Sequence, residues 1–281
     1  MMSDKRLGWS LDYRDPETIK KVMPFWEFLY KYYFQVKTDG WEYIPNTQVL
    51  FVGSHNGGLG APDMTMMMYD WFKRFGVEKP VYGLMHPSAW KVYSTVIDLA
   101  AQCGAVVAHP KMAIRAIESG ASVLVYPGGA EDVFRPYSER DKIKLVGRKA
   151  FIKLALKYSL PIVPLVSKGA HETLYVLTDL YEQAKSFHDL GWFDWILDVD
   201  PQTFPIYLGL PWGIAFGPLP NIPLPNPIRT RVCPPIYFKH YGMDASKDKD
   251  YVDECYDMVE KSMQYQLDLL YDNSNDKYAM L

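Results

Sequence analysis

Residues 55–63 of this 281-residue chain read HNGGLGAPD and separate two segments with different patterns. Residues 49–52 before them are apolar and rich in valine, which is typical of a short buried β-strand. Residues 64–75 after them contain neither proline nor glycine, and the proline just ahead suits a first helical turn, where its missing N–H leaves no hydrogen bond unmade. The pattern predicts a strand, a glycine-rich turn and a helix, with His55 at the exit of the strand and Asp63 in the first turn of the helix.

Short apolar segments alternate with helical patterns along the rest of the chain. Because such alternation needs crossover connections, we expect an α/β fold with a mostly parallel or mixed sheet covered by helices on both faces. Ligands bind beyond the carboxyl ends of the strands in such sheets, which is where His55 is placed. The proline-rich segment 201–235 is expected to be an extended flap that returns one last strand to the sheet. The predicted strands are 49–52, 81–84, 105–108, 122–126, 162–166 and 230–233, and the predicted helices are 64–75, 88–102, 111–119, 147–158 and 249–271.

The N-terminal segment is unusually aromatic, in a chain that contains 15% Phe, Trp and Tyr. Asp15 and Pro16 suit the start of a helix, and apolar residues follow at spacings of three and four, while Pro24 is expected to kink or divide the helix. Aromatic side chains on nearly all sides, with lysines among them, are typical of a helix at a membrane interface. We expect an N-terminal aromatic amphipathic arm that contacts a membrane surface. Packing on its own domain and a dimer contact are the alternatives.

Composition argues against several classes of protein. A net charge of −3 gives no general affinity for nucleic acid, so no nucleic-acid partner is expected. The three cysteines and six histidines show no metal-binding or redox spacing, and we expect neither a metal nor a bound cofactor. The sequence shows no secretory leader and no uncharged segment of about 20 residues, which favours a cytoplasmic protein.

A second glycine-rich turn, YPGGAE at residues 126–131, also follows a predicted buried strand. If the two strands are neighbours, His55 and Glu131 face one crevice. Six cations follow within fifteen residues, and such a cluster suits phosphate groups through charge-assisted hydrogen bonds. A solvated surface balanced by nearby carboxylates is the alternative. The six cations are Arg135, Arg140, Lys142, Lys144, Arg148 and Lys149.

His55 and Asp63 together suit proton transfer. An imidazole takes a proton from an alcohol near neutral pH, and a carboxylate on its other nitrogen fixes the tautomer and supports the imidazolium that forms. Asp63 alone has another explanation, because carboxylates are favoured in the first turn of any helix. A core histidine, in contrast, would not need the glycines that follow His55. The chain contains neither the GxSxG pattern of serine hydrolases nor the GxxxxGK[ST] pattern of phosphate loops.

Four blocks of sequence together resemble the lysophospholipid acyltransferase superfamily, the glycerolipid acyltransferases, and most of all the branch that includes diacylglycerol acyltransferase type 2 and bacterial relatives. The resemblance implies that His55 removes the proton from an acceptor hydroxyl, which then attacks the carbonyl of an acyl-CoA or acyl-ACP thioester. Asp63 would hold His55. The blocks are GSHNGG at 53–58 with Pro62 and Asp63, YPGGAE at 126–131, GRKAF at 147–151, and PIVPLV at 161–166 followed by GAHE at 169–172.

The resemblance also implies partners and an organisation of the chain. The expected partners are an acyl thioester donor, a lipid or hydrophobic alcohol acceptor, a membrane surface and an acyl carrier protein, and the expected location is cytoplasmic and peripheral to the membrane. We expect an arm at 1–40, an acyltransferase α/β domain at 41–247, and a C-terminal helix and tail at 248–281. The expected substrate-binding residues are Asn56, Gly57, Gly58, Tyr126, Gly128, Gly129, Glu131, Arg135, Arg148 and Lys149.

The chain departs from the usual motifs of the superfamily in ways that bear on the acceptor. The usual aspartate lies five residues after the histidine, where this chain has Gly60, and Asp63 lies three residues further on. The usual Pro-Glu-Gly motif has Gly128 in place of the glutamate, which is closer to the branch that acylates neutral acceptors. Two alternatives stay open. A thioester or ester hydrolase would release free acid without an acceptor, and a lipid-binding protein would keep its function in His55→Ala.

Overall fold

The computed structural model describes residues 7–92, 94–195 and 200–272. Seven strands in these ranges form one sheet, and three form a second, smaller sheet. The strands in chain order are β1 (Lys37–Asp39), β2 (Leu50–Gly53), β3 (Val81–Met85), β4 (Ala105–Val107), β5 (Ser122–Val125), β6 (Ile162–Lys168), β7 (Tyr175–Asp179), β8 (Pro205–Gly209), β9 (Gly213–Phe216) and β10 (Arg229–Val232).

The large sheet has the order β1-β10-β6-β2-β5-β3-β4. The five strands from β6 to β4 are parallel, whereas β10 is antiparallel to β6 and β1 runs parallel to β10. The expectation of a mostly parallel or mixed sheet flanked by helices is confirmed. The helices are α1 (Pro16–Phe28), α2 (Pro62–Phe75), α3 (Ala89–Val92), α4 (Ser94–Gln102), α5 (Pro110–Glu118), α6 (Gly129–Val133), α7 (Ala150–Lys157), α8 (Tyr181–Asp189), α9 (Met243–Lys247) and α10 (Lys249–Tyr271).

Strand β2 lies in the middle of the sheet and contributes to the core on both of its faces. Leu50 and Val52 belong to a cluster that includes residues of α5, α7 and α10. Phe51 belongs to a different cluster, with Trp71 of α2 and Ile19 of α1. Because successive side chains of a strand point to opposite faces, a fully apolar β2 is what a sheet covered on both sides requires. The buried core thus fixes the position of the loop that follows β2.

The predicted strands of the large sheet agree with the structure to within two residues at each end. The predicted helix 88–102 corresponds to α3 and α4, and residue 93 lies outside the described residues. The expectation of one extended flap over 201–235 is wrong for its first half, where β8 and β9 form an antiparallel hairpin that pairs with β7. Pro205 is the first residue of β8 and Pro211 lies in the turn of the hairpin, which are positions where strands tolerate proline.

The N-terminal arm lies against the domain and also exposes aromatic rings. Pro24 was expected to kink or divide the helix, and it does not divide it: α1 continues through Pro24, and a π-helical turn at Leu29–Tyr33 follows. Pro24 is exposed, so water can satisfy the carbonyl group that lacks its amide partner. Trp26 stacks on Phe72 of α2 with ring centroids 6.4 Å apart. In the described part of the chain, no helix has both the length and the apolar character needed to cross a membrane.

Candidate active site

His55 lies two residues beyond Gly53, the last residue of β2. Its side chain is 20% exposed, and its Nδ1 lies 3.3 Å from Oδ2 of the buried Asp63. The same carboxylate oxygen accepts a hydrogen bond of 2.9 Å from the N–H of Asn56. The glycine loop therefore brings Asp63 back beside His55, and one oxygen of Asp63 contacts both the imidazole ring and the backbone that follows it.

The geometry of this return depends on Gly57. Its φ is +81°, and a Cβ atom there would lie 2.6 Å from Cδ of Pro62 and 2.9 Å from the carbonyl oxygen of Ala170. A left-handed backbone and the absence of a side chain are both required, so only glycine fits. The α-carbons of Gly57 and Gly58, two expected substrate-binding residues, are packed against the protein's own chain. These glycines shape the loop, and any contact with substrate would come from their backbone.

A buried ion pair holds the backbone of His55. Asp132 Oδ2 accepts a hydrogen bond of 2.5 Å from the His55 N–H. Arg135 Nη1 donates to the His55 carbonyl at 2.8 Å and to Asp132 Oδ1 at 2.9 Å, and its Nη2 donates to Asn56 Oδ1 at 2.5 Å. Neither side chain of the pair is exposed. Burial raises the pKa of Asp132 to about 6, against the opposing effects of the Arg135 charge and the His55 N–H.

The expectation that Arg135 binds substrate does not fit its position. Its guanidinium also donates to the carbonyl oxygens of Glu139 and Arg140, and the residue is 1% exposed. A guanidinium with its donors occupied and no contact with solvent is out of reach of a ligand. Arg135 therefore lies beneath the loop, where it orients the backbone of His55.

The ends of two neighbouring strands bring Tyr126 and His86 to the same edge of the sheet as His55. The Tyr126 ring stacks on the His55 ring, with centroids 4.6 Å apart and planes 30° apart. Burial raises the pKa of Tyr126 well above its ordinary value, so the phenol is neutral at physiological pH. Burial, followed by the charge of Arg148, lowers the pKa of His86, whose Nδ1 accepts a hydrogen bond of 3.3 Å from the Ser88 N–H. The sequence signal for His86 was its place two residues after the predicted strand 81–84.

Contacts with Arg148 hold the second glycine-rich turn in place. Arg148 forms an ion pair with Glu131 and donates from Nη1 to the carbonyl oxygens of Pro127 and Gly128, at 2.9 and 2.8 Å. A Cβ atom at Gly128 would lie 2.0 Å from the backbone oxygen of Lys144, so this glycine serves close packing. Glu131 and Arg148, both expected to bind substrate, thus bind each other. About a third of each side chain stays exposed, at 30% and 36%.

The predicted phosphate-binding cluster is balanced by carboxylates. Arg135 and Arg148 are paired as described, and the other four cations also have acidic neighbours within 4 Å. Lys149 pairs with Asp253 on α10, which directs it toward that helix. The structure therefore favours the alternative of a locally balanced surface. The other pairs are Arg140 with Glu172, Lys142 with Asp141 and Lys144 with Glu139.

Asn221 belongs to the site although no local pattern in the sequence indicates it. Its Oδ1 accepts a hydrogen bond of 3.2 Å from the Gly60 N–H, and its Nδ2 donates to the Gly57 carbonyl at 3.0 Å. Asn221 lies in the extended segment 217–228 between β9 and β10, which we call the flap. It is 161 positions beyond Gly60 in the sequence. Asp132 had a stronger signal, because it directly follows Glu131 in the second glycine-rich turn. Among the described residues, no group of three or more His, Cys, Asp or Glu side chains is arranged to hold a metal ion.

The fold is similar to that of a known acyltransferase. The crystal structure of the 1-acyl-sn-glycerophosphate (LPA) acyltransferase, PlsC, from Thermotoga maritima matches with a TM-score of 0.52 and 14% sequence identity. The match covers 90% of this chain and 80% of that chain. At this identity the similarity concerns the fold alone, and the shared structural class is a parallel α/β sheet covered by helices.

The sequence defines the family within that class. The model of the diacylglycerol acyltransferase family matches residues 105–280, which is more than half of the chain, and the chain belongs to this family. The predicted resemblance is thereby confirmed. The matched segment begins downstream of His55 and Asp63, so the roles of these two residues rest on the geometry described above.

Individual relatives are distant and longer than this chain. Diacylglycerol O-acyltransferase 2 of Xenopus laevis is 27% identical over 152 residues, which are 49% of this chain and 37% of that protein. An uncharacterized protein of Mycobacterium leprae (strain TN) is 25% identical over 246 residues, which are 88% of this chain and 63% of that protein. The chain thus spans less than two thirds of the length of these relatives.

Proposed function

We propose that this chain is an O-acyltransferase that moves a fatty acyl group from an acyl thioester to the hydroxyl of a glycerolipid or similar lipid acceptor, with His55 as the general base. Membership of the diacylglycerol acyltransferase family supports the reaction class. The observation that supports the role of His55 is its pairing with the buried Asp63 at the carboxyl end of a central strand. Ligands bind at this edge of an open α/β sheet.

The geometry suits direct transfer of the acyl group to the acceptor, with His55 acting first as general base and then as general acid. With Nδ1–H donating to Asp63, Nε2 of His55 has a free lone pair that accepts the proton of the acceptor hydroxyl. The hydroxyl oxygen attacks the thioester carbonyl, and a tetrahedral intermediate forms. Its collapse breaks the C–S bond, and the departing thiolate takes the proton from the imidazolium of His55. The products are the ester and the free thiol, and the negative Asp63 stabilises the imidazolium between the two steps.

The surroundings of the site favour an acceptor without phosphate. Arg135 is buried beneath the loop, and the cations from Arg140 to Lys149 have carboxylate neighbours. Gly128 stands where the usual Pro-Glu-Gly motif of the superfamily has its glutamate, and the Pro-Gly-Gly form resembles that of the branch that acylates neutral acceptors. We infer a neutral acceptor, with acyl-CoA as the donor and acyl-ACP as the other thioester to test. No bound cofactor has a part in this reaction.

The test is acyl transfer by the purified protein from labelled palmitoyl-CoA to lysophosphatidate, monoacylglycerol, diacylglycerol or a long-chain alcohol. We expect an ester of a neutral acceptor, and a rate about 10²-fold lower in His55→Ala, which is the scale of a lost general base. His240→Ala is the control, because His240 is exposed and lies outside the site. Equal rates in His55→Ala and the wild type, or release of free acid alone, would refute the proposal.

We further propose that the N-terminal arm contacts a membrane surface. Phe25, Phe28 and Tyr32 are 63%, 53% and 70% exposed, and rings of this kind lie favourably at a lipid interface. In this proposal the arm comprises residues 1–40, the acyltransferase domain 41–247, and the C-terminal helix and tail 248–281; residues 1–6 and 273–281 lie outside the described residues. Cosedimentation with phosphatidylcholine vesicles should weaken in Tyr32→Asp and not in Tyr265→Asp, a tyrosine of α10 that is 61% exposed.

A further inference from the structure

The imidazole ring of His55 is held on one edge and on one face. On the edge, its Nδ1 lies 3.3 Å from Oδ2 of Asp63. On the face, the Tyr126 ring lies with its centroid 4.6 Å away and its plane 30° from that of the imidazole. A single hydrogen bond leaves a planar ring free to turn about the line of that bond, whereas a second ring stacked on its face removes this freedom. The two contacts together therefore fix both the position and the plane of the imidazole.

Tyr126 reaches this face because of features in two neighbouring strands. It directly follows β5, which pairs with β2, and it precedes Pro127, which favours an extended backbone in the residue before it. Gly53, the last residue of β2, leaves the space for the ring. A Cβ atom at Gly53 would lie 2.2 Å from Cε1 of Tyr126 and 2.7 and 2.8 Å from Cδ1 and Cζ, which is closer than real Cβ contacts come. Any side chain at position 53 would thus push the tyrosine ring away from His55.

The stacked ring faces the group that becomes charged in the proposed reaction. The face of an aromatic ring carries partial negative charge and attracts a cation within about 6 Å of its centroid. The imidazole of His55 lies within this range. Among the charged groups that contact His55, Asp63 lies at Nδ1, while Asp132 and Arg135 contact the backbone with opposite charges. The ring of Tyr126 therefore adds to the effect of Asp63 on an imidazolium.

We propose that Tyr126 is a positioning residue for the general base: its ring face holds the plane of the His55 imidazole and stabilises the imidazolium that forms during acyl transfer. This inference rests on the proposed function, with His55 as the base. In the step concerned, the O–H bond of the acceptor breaks and an N–H bond forms at Nε2 of His55, and the proton later leaves with the thiol. Tyr126 neither gives nor receives a proton.

The first test compares Tyr126→Leu with Tyr126→Phe in acyl transfer from palmitoyl-CoA at a series of pH values. Tyr126→Leu removes the ring and should lower kcat about tenfold with little change in KM, because the ring contacts the base and not the substrate. The acidic limb of the pH profile should move to lower pH by about one unit, since His55 loses a group that favours its protonated form. Tyr126→Phe keeps the ring and should recover most of both losses. If it is as slow as Tyr126→Leu, the hydroxyl rather than the ring face supports the reaction, and the proposal is wrong.

The matched control is Tyr251→Leu, which removes a tyrosine ring beside a histidine outside the site. The ring of Tyr251 lies 5.5 Å from that of the exposed His240. This variant should keep the kcat and the pH profile of the wild type. Equal losses in Tyr251→Leu and Tyr126→Leu would show a general effect of losing a tyrosine ring and would overturn the proposal.

A pentafluorinated phenylalanine at position 126 separates the charge of the ring face from its shape. Fluorine withdraws electron density, so the face loses its negative charge while the ring stays flat and stacked. We expect the pH profile of this variant to resemble that of Tyr126→Leu, and its stability toward urea to resemble that of Tyr126→Phe. A pH profile equal to that of Tyr126→Phe would refute the stabilisation of the imidazolium.

Titration of His55 by NMR reports the same contact without turnover. In protein labelled with carbon-13 at Cε1 of its histidines, the His55 signal is identified by its absence in His55→Ala. The midpoint of its titration should fall by about one pH unit in Tyr126→Leu. Gly53→Ala should have the same effect because it displaces the ring, and it provides the test if Tyr126→Leu does not fold. Gly83→Ala is the control, since Gly83 is a strand glycine with nothing within 4 Å of its would-be Cβ atom.

The two kinds of measurement distinguish this proposal from the proposed function. Unchanged midpoints in Tyr126→Leu and Gly53→Ala, in proteins that still transfer acyl groups, would overturn the role of Tyr126 and leave the proposed function intact. Lower midpoints in a protein that transfers acyl groups to no acceptor would refute the proposed function, while the effect of the tyrosine ring on His55 would stand.

Discussion

Asp132 and Arg135 hold the backbone of His55 between them, and neither side chain is exposed. Removing one member of a buried ion pair leaves the other charge without a partner, at a cost of about 3–5 kcal/mol. We expect Arg135→Met to lower the free energy of unfolding by this amount in urea denaturation. Arg231→Met is the control, since Arg231 pairs at 2.9 Å with the exposed Asp39, where such pairs contribute about 0–1 kcal/mol. Similar losses in both variants would contradict this interpretation of the pair.

The raised pKa of Asp132 gives the pair a dependence on pH. The folded-state pKa of about 6 lies above the ordinary 3.8, so the folded protein keeps a proton that the unfolded chain releases. This contribution to stability is complete below pH 3.8 and is lost as the pH rises through about 6. Across that window the wild type should lose on the order of 3 kcal/mol relative to Asp132→Asn. Unfolding free energies of both proteins are the measurement, and parallel pH profiles would refute the prediction.

Single residues were predictable from the sequence only where their chemistry had a local signal. His55 and Asp63 follow from their types and from the glycines between them, and the structure places their side chains 3.3 Å apart. The position of Arg135 was not predictable, because a run of cations looks the same whether its partners are solvent, phosphate or carboxylates of the same chain. Burial of a charged group depends on distant residues, and the local pattern does not contain them.

At the scale of the secondary-structure elements, the loop between β2 and α2 depends on Gly57. Gly57→Ala should lower the free energy of unfolding by about 1–2 kcal/mol, because an alanine is strained in a left-handed backbone. The close contacts of its Cβ atom with Pro62 and Ala170 should lower it further. Gly120→Ala is the control, because Gly120 has φ +89° and nothing within 4 Å of its would-be Cβ atom. We expect acyl transfer to fall about 10²-fold in Gly57→Ala only, through misplacement of His55 relative to Asp63. If Gly57→Ala is less stable than Gly120→Ala but transfers acyl groups at the same rate, the position of His55 does not depend on Gly57.

Elements with a strong apolar signal were predictable, and weaker ones were not. The buried strands from β2 to β6 consist mostly of apolar residues, and α10 has a long periodic pattern, so their bounds could be placed closely. Strand β1 is only Lys37-Thr38-Asp39, and it forms by pairing with β10 at the edge of the sheet. Strands β8 and β9 lie among prolines and glycines that indicate loops. In these cases pairing with distant strands outweighs the local propensity.

At the scale of the whole molecule, the candidate site is completed by contacts between distant parts of the chain. The loop at 55–63 lies against the turn at 126–131, the segment 170–174 and the flap near Asn221. The parallel sheet accounts for the first of these neighbours, because the carboxyl ends of β2 and β5 are adjacent. The contact with the flap could not be predicted in this way, because the order of the strands does not determine the path of an irregular segment. The sequence therefore predicted the edge of the sheet where the site lies and missed the segment that covers its loop.

Asn221 provides the test of this long-range contact, because its side chain binds the N–H of Gly60 and the carbonyl of Gly57 and is 8% exposed. Asn221→Leu removes both hydrogen bonds and leaves the buried Gly57 carbonyl and the half-buried Gly60 N–H without this partner, and the buried group alone costs about 1–3 kcal/mol. We expect a lower free energy of unfolding and a lower kcat for acyl transfer, because the loop that orients His55 loses its tie to the flap.

Asn226→Leu is the matched control, since Asn226 lies in the same flap and binds the carbonyl oxygens of Gly169 and Pro227 and no group of the loop at 55–63. It should reduce stability through the flap and leave the pH profile and kcat of acyl transfer close to those of the wild type. If the two variants lower kcat equally, the flap acts on the fold as a whole. If only Asn221→Leu lowers kcat, an amide more than 160 residues from His55 in the sequence positions the candidate catalytic loop.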